Sequence, residues 1–169
     1  MLATYFGGLE DNMELACGLP ICALHVDLTR APEQLDPLLE RMPAGLSLSL
    51  GVVDGRNIWK NDYHHSSALI QKAVEKLGTD RVFIAPGCSL LHTPFDLDKE
   101  TAIAPEIRNW MAFAKQKLTE TDHLKRIATG EVSLLEENQA ALASRRTSSL
   151  IHKDAVKQRI AAIRESDDR

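Results

Sequence analysis

Eight residues of the 169-residue chain pair reactive or ligating side chains with positions where a fold could gather them: His25, Asp27, Asp54, Arg56, Asn57, Cys88, Ser89 and His92. They fall into three groups, each following a short apolar run. Ala23 to Leu28 (ALHVDL) delivers His25 and Asp27 ahead of Thr29-Arg30-Ala31-Pro32. Leu46 to Val53 delivers Asp54 ahead of Gly55-Arg56-Asn57. Val82 to Ala85 stops at Pro86-Gly87, which cannot continue a ladder, so Cys88, Ser89 and His92 come just past its end. The carboxyl ends of strands are where α/β folds keep their chemistry.

The chemistry open to these groups is limited. His25 and Asp27 point to one face of a strand and, with Cys88 and His92, make a set of metal-ligating types that could converge. An isolated His-x-Asp equally forms a satisfied core pair or orients a loop. Asp54-Gly55-Arg56-Asn57 has the residues of a turn in which Asp54 holds backbone amides or Arg56; its other reading is polar contact to a ligand at the mouth of a sheet. His64-His65 reads as surface loop before a helix. Cys17 and Cys22, near Leu19 and Ile21, read as small buried hydrophobes, because three cysteines without C-x-x-C spacing suggest neither a disulfide framework nor a zinc ribbon. The chain has no G-x-S-x-G, no P-loop lysine motif and no G-x-G-x-x-G, and Arg145-Arg146 reads as a solvated helix end.

The elements that must position these residues repeat. Leu2 to Phe6 reads as a strand, followed by Gly7-Gly8 and a short helix over Asp11 to Gly18. The strand Ala23 to Leu28 leads through Pro32 into a helix over Glu33 to Met42, with Leu35, Leu38, Leu39 and Met42 at helical spacing. The strand Leu46 to Val53 leads to a helix over Ser66 to Leu77, which carries Leu69, Ile70, Ala73, Val74 and Leu77 on one face and closes at Gly78. The strand Val82 to Ala85 leads, after a long loop, to a helix from Pro105 to about Leu118 with Ile107, Trp110, Met111, Ala114 and Leu118 inward. Four strand-helix units imply a parallel sheet covered by helices. Beyond them Thr121 to Thr129, Val132 to Ala143 and Asp154 to Arg164 read as helices of an extension joined through SRRTSSLIHK. The expected division is therefore 1–120 and 121–169.

Composition excludes other classes. A net charge of −4 leaves no basic footprint for nucleic acid, and no apolar run approaches the length of a membrane span. MLATYFGGLEDN lacks the charged start and apolar centre of a signal peptide, so a cytoplasmic location is expected.

Four separated segments, GLPICALHVDLTRAPEQLD, LSLGVVDGRNIWKND, APGCSLLHTPFDLDKET and IRNWMAFAKQKL, resemble cobalamin-independent methionine synthase, and the resemblance continues through ASRRTSSLIHKDAVKQRIAAI. That family moves a methyl group from methyltetrahydropteroyl-polyglutamate to homocysteine, using zinc. It has two (β/α)8 barrels, and this chain is similar to the second half of the amino-terminal one. The resemblance implies half of a TIM-like barrel with a helical C-terminal extension, which agrees with four units where a full barrel has eight.

The family's catalytic barrel holds zinc with a His-x-Cys pair, a Glu and a Cys after a Pro-x-Cys-Gly turn. Here Asp27 stands at the Glu-like position and Cys88 at the second Cys-like position, while Leu2 to Phe6 supplies neither His nor Cys. The resemblance thus implies no zinc and no catalytic residue in this chain, zinc belonging to the family's other barrel. The expected function is a scaffold part of a methyltransferase, inactive alone. The alternatives are a stand-alone binding or interaction protein built on a half-barrel, or a small metal-dependent methyltransferase using Asp27, Cys88 and His92 in a site completed by a partner chain. Open strand edges lead to an expectation of self-association or of pairing with the missing barrel half. The inner face exposed by that missing half is expected to be apolar, formed by Leu24, Val26, Leu48, Leu50 and Val82 or by their alternating neighbours.

Overall fold

The computed structural model describes residues 1–163 and contains a four-stranded parallel sheet with strand order β1-β2-β3-β4. The strands are β1 (Leu2–Ala3), β2 (Ala23–Asp27), β3 (Ser47–Val53) and β4 (Val82–Pro86). They alternate with α1 (Met13–Gly18), α2 (Leu35–Arg41) and α3 (Tyr63–Leu77). Sequence neighbours are sheet neighbours throughout, the connectivity of a (β/α)8 barrel, and four units are half of one. Beyond β4 come α4 (Pro105–Arg108), α5 (Ala114–Ala128), α6 (Ser133–Thr147) and α7 (Asp154–Ala161).

The register sorts the side chains by alternation. Leu24, Leu48 and Val82 lie level with one another, as do Val26, Leu50 and Ile84, and all pack in the core formed with α1, α2 and α3. Leu24, Val26, Leu48 and Leu50 are wholly buried. Each such side chain contributes roughly 1.5–3 kcal/mol of burial. These residues therefore do not form the face left open by a missing half; helices cover them. Their alternating neighbours occupy the other face, where His25 is level with Ser49 and Phe83, and Asp27 with Gly51 and Ala85. That face sets polar His25, Ser49 and Asp27 beside Gly51, Ala85 and the half-exposed Phe83, so opening the barrel exposes less apolar surface than an inner layer of Leu and Val would.

Several elements differ from the sequence pattern for identifiable reasons. β1 ends at Ala3, because Phe6 takes a left-handed φ of 71° and donates its N–H to Asp27 Oδ2 at 3.0 Å. α3 begins three residues early, since Asp62 caps it by accepting the N–H groups of His64 and His65. His64 and His65 thus sit, exposed, in its first turn rather than in a loop. Cys17 is buried as expected, but Cys22 is exposed just ahead of β2.

The helix expected from Pro105 to Leu118 is broken. Trp59 forms an antiparallel bridge with Met111, and Lys60 N–H donates to Trp110 C=O while Ala112 N–H donates to Ile58 C=O. Extending the backbone there buries Trp110, Met111, Ala112 and Phe113. α5 then starts at Ala114 and runs unbroken past residue 120, turning Lys117, Glu120 and Leu124 inward and leaving Leu118 exposed. Arg145 and Arg146 close α6, with the Arg145 guanidinium stacked 3.8 Å over the Trp59 ring and Arg146 3.6 Å from Asp62.

Gly51 lets β4 close against β3: a Cβ there would stand 2.7 Å from both Gly87 Cα and Val26 O. Val26 O belongs to β2 and Gly87 Cα to the residue directly after β4, and as backbone atoms neither can swing aside as a side chain would. Gly51→Ala is expected to lower stability by about 1–3 kcal/mol, read as a lower denaturant midpoint; an unchanged midpoint would show that the loop after β4 yields freely.

Candidate functional site

The carboxyl ends of the strands bring most of the eight residues into one neighbourhood. Asp27 is at its centre, 2% exposed. Its Oδ1 accepts from Thr29 N–H at 2.9 Å, Thr29 Oγ1 at 2.6 Å and Arg30 N–H at 3.2 Å, and its Oδ2 accepts from Phe6 N–H. The carboxylate therefore ties the loop after β1 to the loop after β2. Gly87, at the end of β4, is pressed so close that a Cβ there would lie 2.8 Å from Asp27 Oδ1.

His25 lies one layer deeper and is buried. Its Nδ1 is 2.9 Å from Ser49 Oγ, joining β2 to β3. Burial lowers its pKa, against a hydrogen bond with the Gly87 backbone and the nearby Asp27 charge. It is the satisfied core partner that one reading of His-x-Asp anticipates.

Asp54 organises the turn after β3, accepting from Arg56 N–H and Asn57 Nδ2 at 2.8 Å each. Its ion pair is with Arg30, at 3.3 Å, so the Arg56 guanidinium is free to lie 4.7 Å from the centre of the Phe6 ring. His92 meets the same ring edge-on at 5.6 Å, and both His92 and Ser89 are exposed. Ser89 Oγ accepts from Leu91 N–H and caps the short turn that carries His92. Cys88 packs against Gly55, and burial, with the Asp27 and Asp54 charges, raises its pKa. A thiol so held is less readily ionised.

Asn57 points the other way, to a cluster that the sequence pattern did not reveal. Its Oδ1 accepts from Trp59 N–H and, at 3.3 Å, from Lys117 Nζ, which also donates to Trp59 C=O at 3.1 Å. Lys117 is wholly buried, and burial lowers its pKa. One turn on, Glu120 accepts Asn61 N–H at 2.9 Å through Oε1, while Oε2 is buried without a partner. Asn138 of α6 completes the junction by donating to Asn61 C=O and accepting Tyr63 N–H. Lys117 and Glu120 sit at i and i+3 in AKQKLTETDHLK, which reads as a solvated face; only the broken helix before it turns that face inward. Phe6 and Arg30 are also members the pattern missed, and an aromatic directly before Gly7-Gly8 was the available signal for the first.

Zinc does not fit these residues. Among the described residues no group of three or more His, Cys, Asp or Glu side chains is arranged to hold a metal ion. Both Asp27 oxygens are committed to donors, and His25 Nδ1 is committed to Ser49.

Four parallel strands in sequential order, with polar groups gathered at their carboxyl ends, define a part of a (β/α)8 barrel of the enzyme type. A family model described as cobalamin-independent synthase, N-terminal domain, matches residues 1–78. The 5-methyltetrahydropteroyltriglutamate–homocysteine methyltransferase of Syntrophotalea carbinolica is 47% identical over 165 residues, covering 96% of this chain and 22% of that protein. The proteins of the same name from Cytophaga hutchinsonii and Coxiella burnetii are 50% and 47% identical, covering 99% and 98% of this chain and 23% and 22% of their own lengths. The chain belongs to the cobalamin-independent methionine synthase family and corresponds to part of its amino-terminal domain. It spans under a quarter of the length of the curated relatives it matches.

Glu120 generates a pH prediction. Burial raises its pKa from 4.5 to about 7, against the lowering effects of Lys117, the Asn61 N–H and Lys60. A carboxyl raised in the folded state favours folding fully below its unfolded pKa, and that contribution is lost as pH climbs through the folded value. Stability should therefore fall between pH 4.5 and about 7, by on the order of 3 kcal/mol from this group. Glu120→Gln keeps an acceptor for Asn61 and should flatten the profile and raise the melting temperature at pH 8. A variant that melts lower than the unaltered chain at pH 8 would show that the charged carboxylate is stabilised.

Proposed function

We propose that this chain acts as a barrel-forming scaffold part of a methyltransferase that passes a methyl group from methyltetrahydropteroyl-triglutamate to homocysteine, with no reacting group of its own. The observation that carries the reading is Asp27. It is the best-placed carboxylate at the strand ends, and its oxygens are saturated by four donors that fix loops. A side chain so occupied positions backbone rather than moving protons or holding a metal. Near-complete coverage of this chain by relatives bearing the methyltransferase name supports the substrate assignment.

The alternative that places a metal on Asp27, Cys88 and His92 meets the donor geometry as an obstacle. A metal would have to displace the Phe6 or Thr29 amide and deprotonate a thiol whose pKa is raised. Zinc, in this reading, belongs to another part of the enzyme. The partner is the remainder of the barrel: among the described residues β1 pairs with β2 alone and β4 with β3 alone, leaving each an outer edge for a further strand. Nucleic acid is no partner in this reading, in line with the acidic charge balance. Among the described residues no helix is long and apolar enough to cross a membrane. Cysteines that stand free at positions 17, 22 and 88 support a reducing, cytoplasmic setting.

Two measurements on the purified chain test this. Incubated with methyltetrahydropteroyl-triglutamate, homocysteine and zinc, it should form no methionine above background. Metal analysis should find well under one zinc per chain. Methionine formation abolished by Asp27→Ala, or one zinc per chain lost on Cys88→Ser, would replace the scaffold reading with the metal-dependent one.

A further inference from the structure

The turn after β3 and the junction of α5 with α6 share one side chain, Asn57. Its Nδ2 donates to Asp54 Oδ2 at 2.8 Å on the rim, while its Oδ1 accepts Trp59 N–H and the ammonium of Lys117. Asp54 in turn accepts the Arg56 N–H, and the Arg56 guanidinium lies against the Phe6 ring. A buried cation thus holds one end of the turn that presents Arg56. That cation is not fully engaged. Lys117 Nζ carries three N–H groups and, among the described residues, has two acceptors, Asn57 Oδ1 at 3.3 Å and Trp59 C=O at 3.1 Å. Glu120, at i+3 on the same inward face of α5, has the complementary deficit: Oε1 accepts Asn61 N–H, and Oε2 is buried with no donor. Without a donor, that oxygen costs much less in a neutral carboxyl than in a carboxylate, and a buried charge left unmet draws the nearest cation able to turn.

We infer that Lys117 is a two-position latch: its ammonium holds Asn57 and Trp59 while Glu120 is protonated, and turns to Glu120 Oε2 once that carboxyl ionises, releasing the β3 turn at the barrel mouth. Lys117 is the cation placed to answer, and its charge is the foremost of the effects that oppose burial at Glu120. Lys60, the other cation near the carboxyl, already donates from Nζ to Asn109 at 3.2 Å, and its movement would leave Asn57 untouched. The other titratable groups about the junction come from three elements. Tyr63, opening α3, and His123, further along α5, hold each other through Oη and Nδ1 at 3.0 Å. Burial raises the Tyr63 pKa and lowers that of His123, so both are uncharged near pH 7, where burial has carried the Glu120 carboxyl. Glu137 of α6 acts on Lys60 and His123, and Asp62 is paired with Arg146 at 3.6 Å. Asn138 and Ser66, the remaining polar partners of Asn61, are neutral. In acid, Asn57 is therefore held by Asp54, Trp59 and Lys117 together. As pH climbs through about 7 it keeps the first two and loses the third, and the Arg56 turn slackens.

A nuclear magnetic resonance titration of the full chain between about pH 5 and pH 9 tests this. The Asn57 side-chain amide should shift with the same midpoint as the Glu120 carboxyl carbon. Glu120→Gln should keep the Asn57 signal at its acid position throughout. Lys117→Met leaves an unbranched side chain of nearly the same length and removes the moving charge. In that variant the Glu120 carbon should titrate at a higher midpoint while the Asn57 signal stays flat. A flat Asn57 signal in the unaltered chain while Glu120 titrates overturns the inference, because Lys117 then stays where it is. A Glu120 carbon that does not move across the range overturns it too. So does an Asn57 shift that survives Glu120→Gln, which would assign it to a histidine, or one that survives Lys117→Met, which would make it the field of the carboxylate alone.

Discussion

The parallel register of β2, β3 and β4 is the constraint on which everything else rests. Because side chains alternate across a strand, one pairing puts Leu24, Leu48 and Val82 in a single layer under the helices and, by the same stroke, puts His25, Ser49 and Phe83 in a layer on the far face. A slip of one residue would drive His25 and Asp27 under α2 and α3, where nothing could satisfy them. Gly51 and Gly87 allow the closest approach in this arrangement, and the room they leave is taken by His25 and the Asp27 carboxylate.

From that register follows the character of the strand ends. Asp27, Asp54 and Ser89 each spend their oxygens on amides of the adjoining loops, and Asp54 adds Arg30. The outcome is a rim whose loops are tied together by hydrogen bonds. Among its accessible groups is the Phe6 ring, held in a left-handed backbone conformation between Arg56 and His92. A non-glycine residue kept there costs on the order of 1–3 kcal/mol, which the Asp27 hydrogen bond to its amide helps to offset.

The helices beyond β4 are not a loose appendage. Lys117, Glu120, Asn138 and Trp110 bind α5 and α6 to the 57–63 loop through buried polar contacts, including Trp110 Nε1 donating to Ser144 Oγ at 2.7 Å. The orphaned Glu120 oxygen makes this junction sensitive to charge, whereas the rim around Asp27 is fully satisfied. α7 alone stands outside this network.

By itself the sequence determined the four strand-helix units, their parallel arrangement, and the place of His25, Asp27, Asp54 and Cys88 at strand ends, because alternating apolar runs and Pro-Gly or Asp-Gly breaks are local signals. It also carried the family, through four ordered segments. Tertiary structure alone decided which face of each strand met the helices, since a run such as LHVDL is compatible with either side. It decided that the helix after Pro105 breaks, because the backbone of Trp110 to Ala112 finds its partners some fifty residues earlier, at Ile58 to Lys60. And it decided that Lys117 and Glu120 lie inside, since helical periodicity fixes which residues share a face but not what that face will be pressed against.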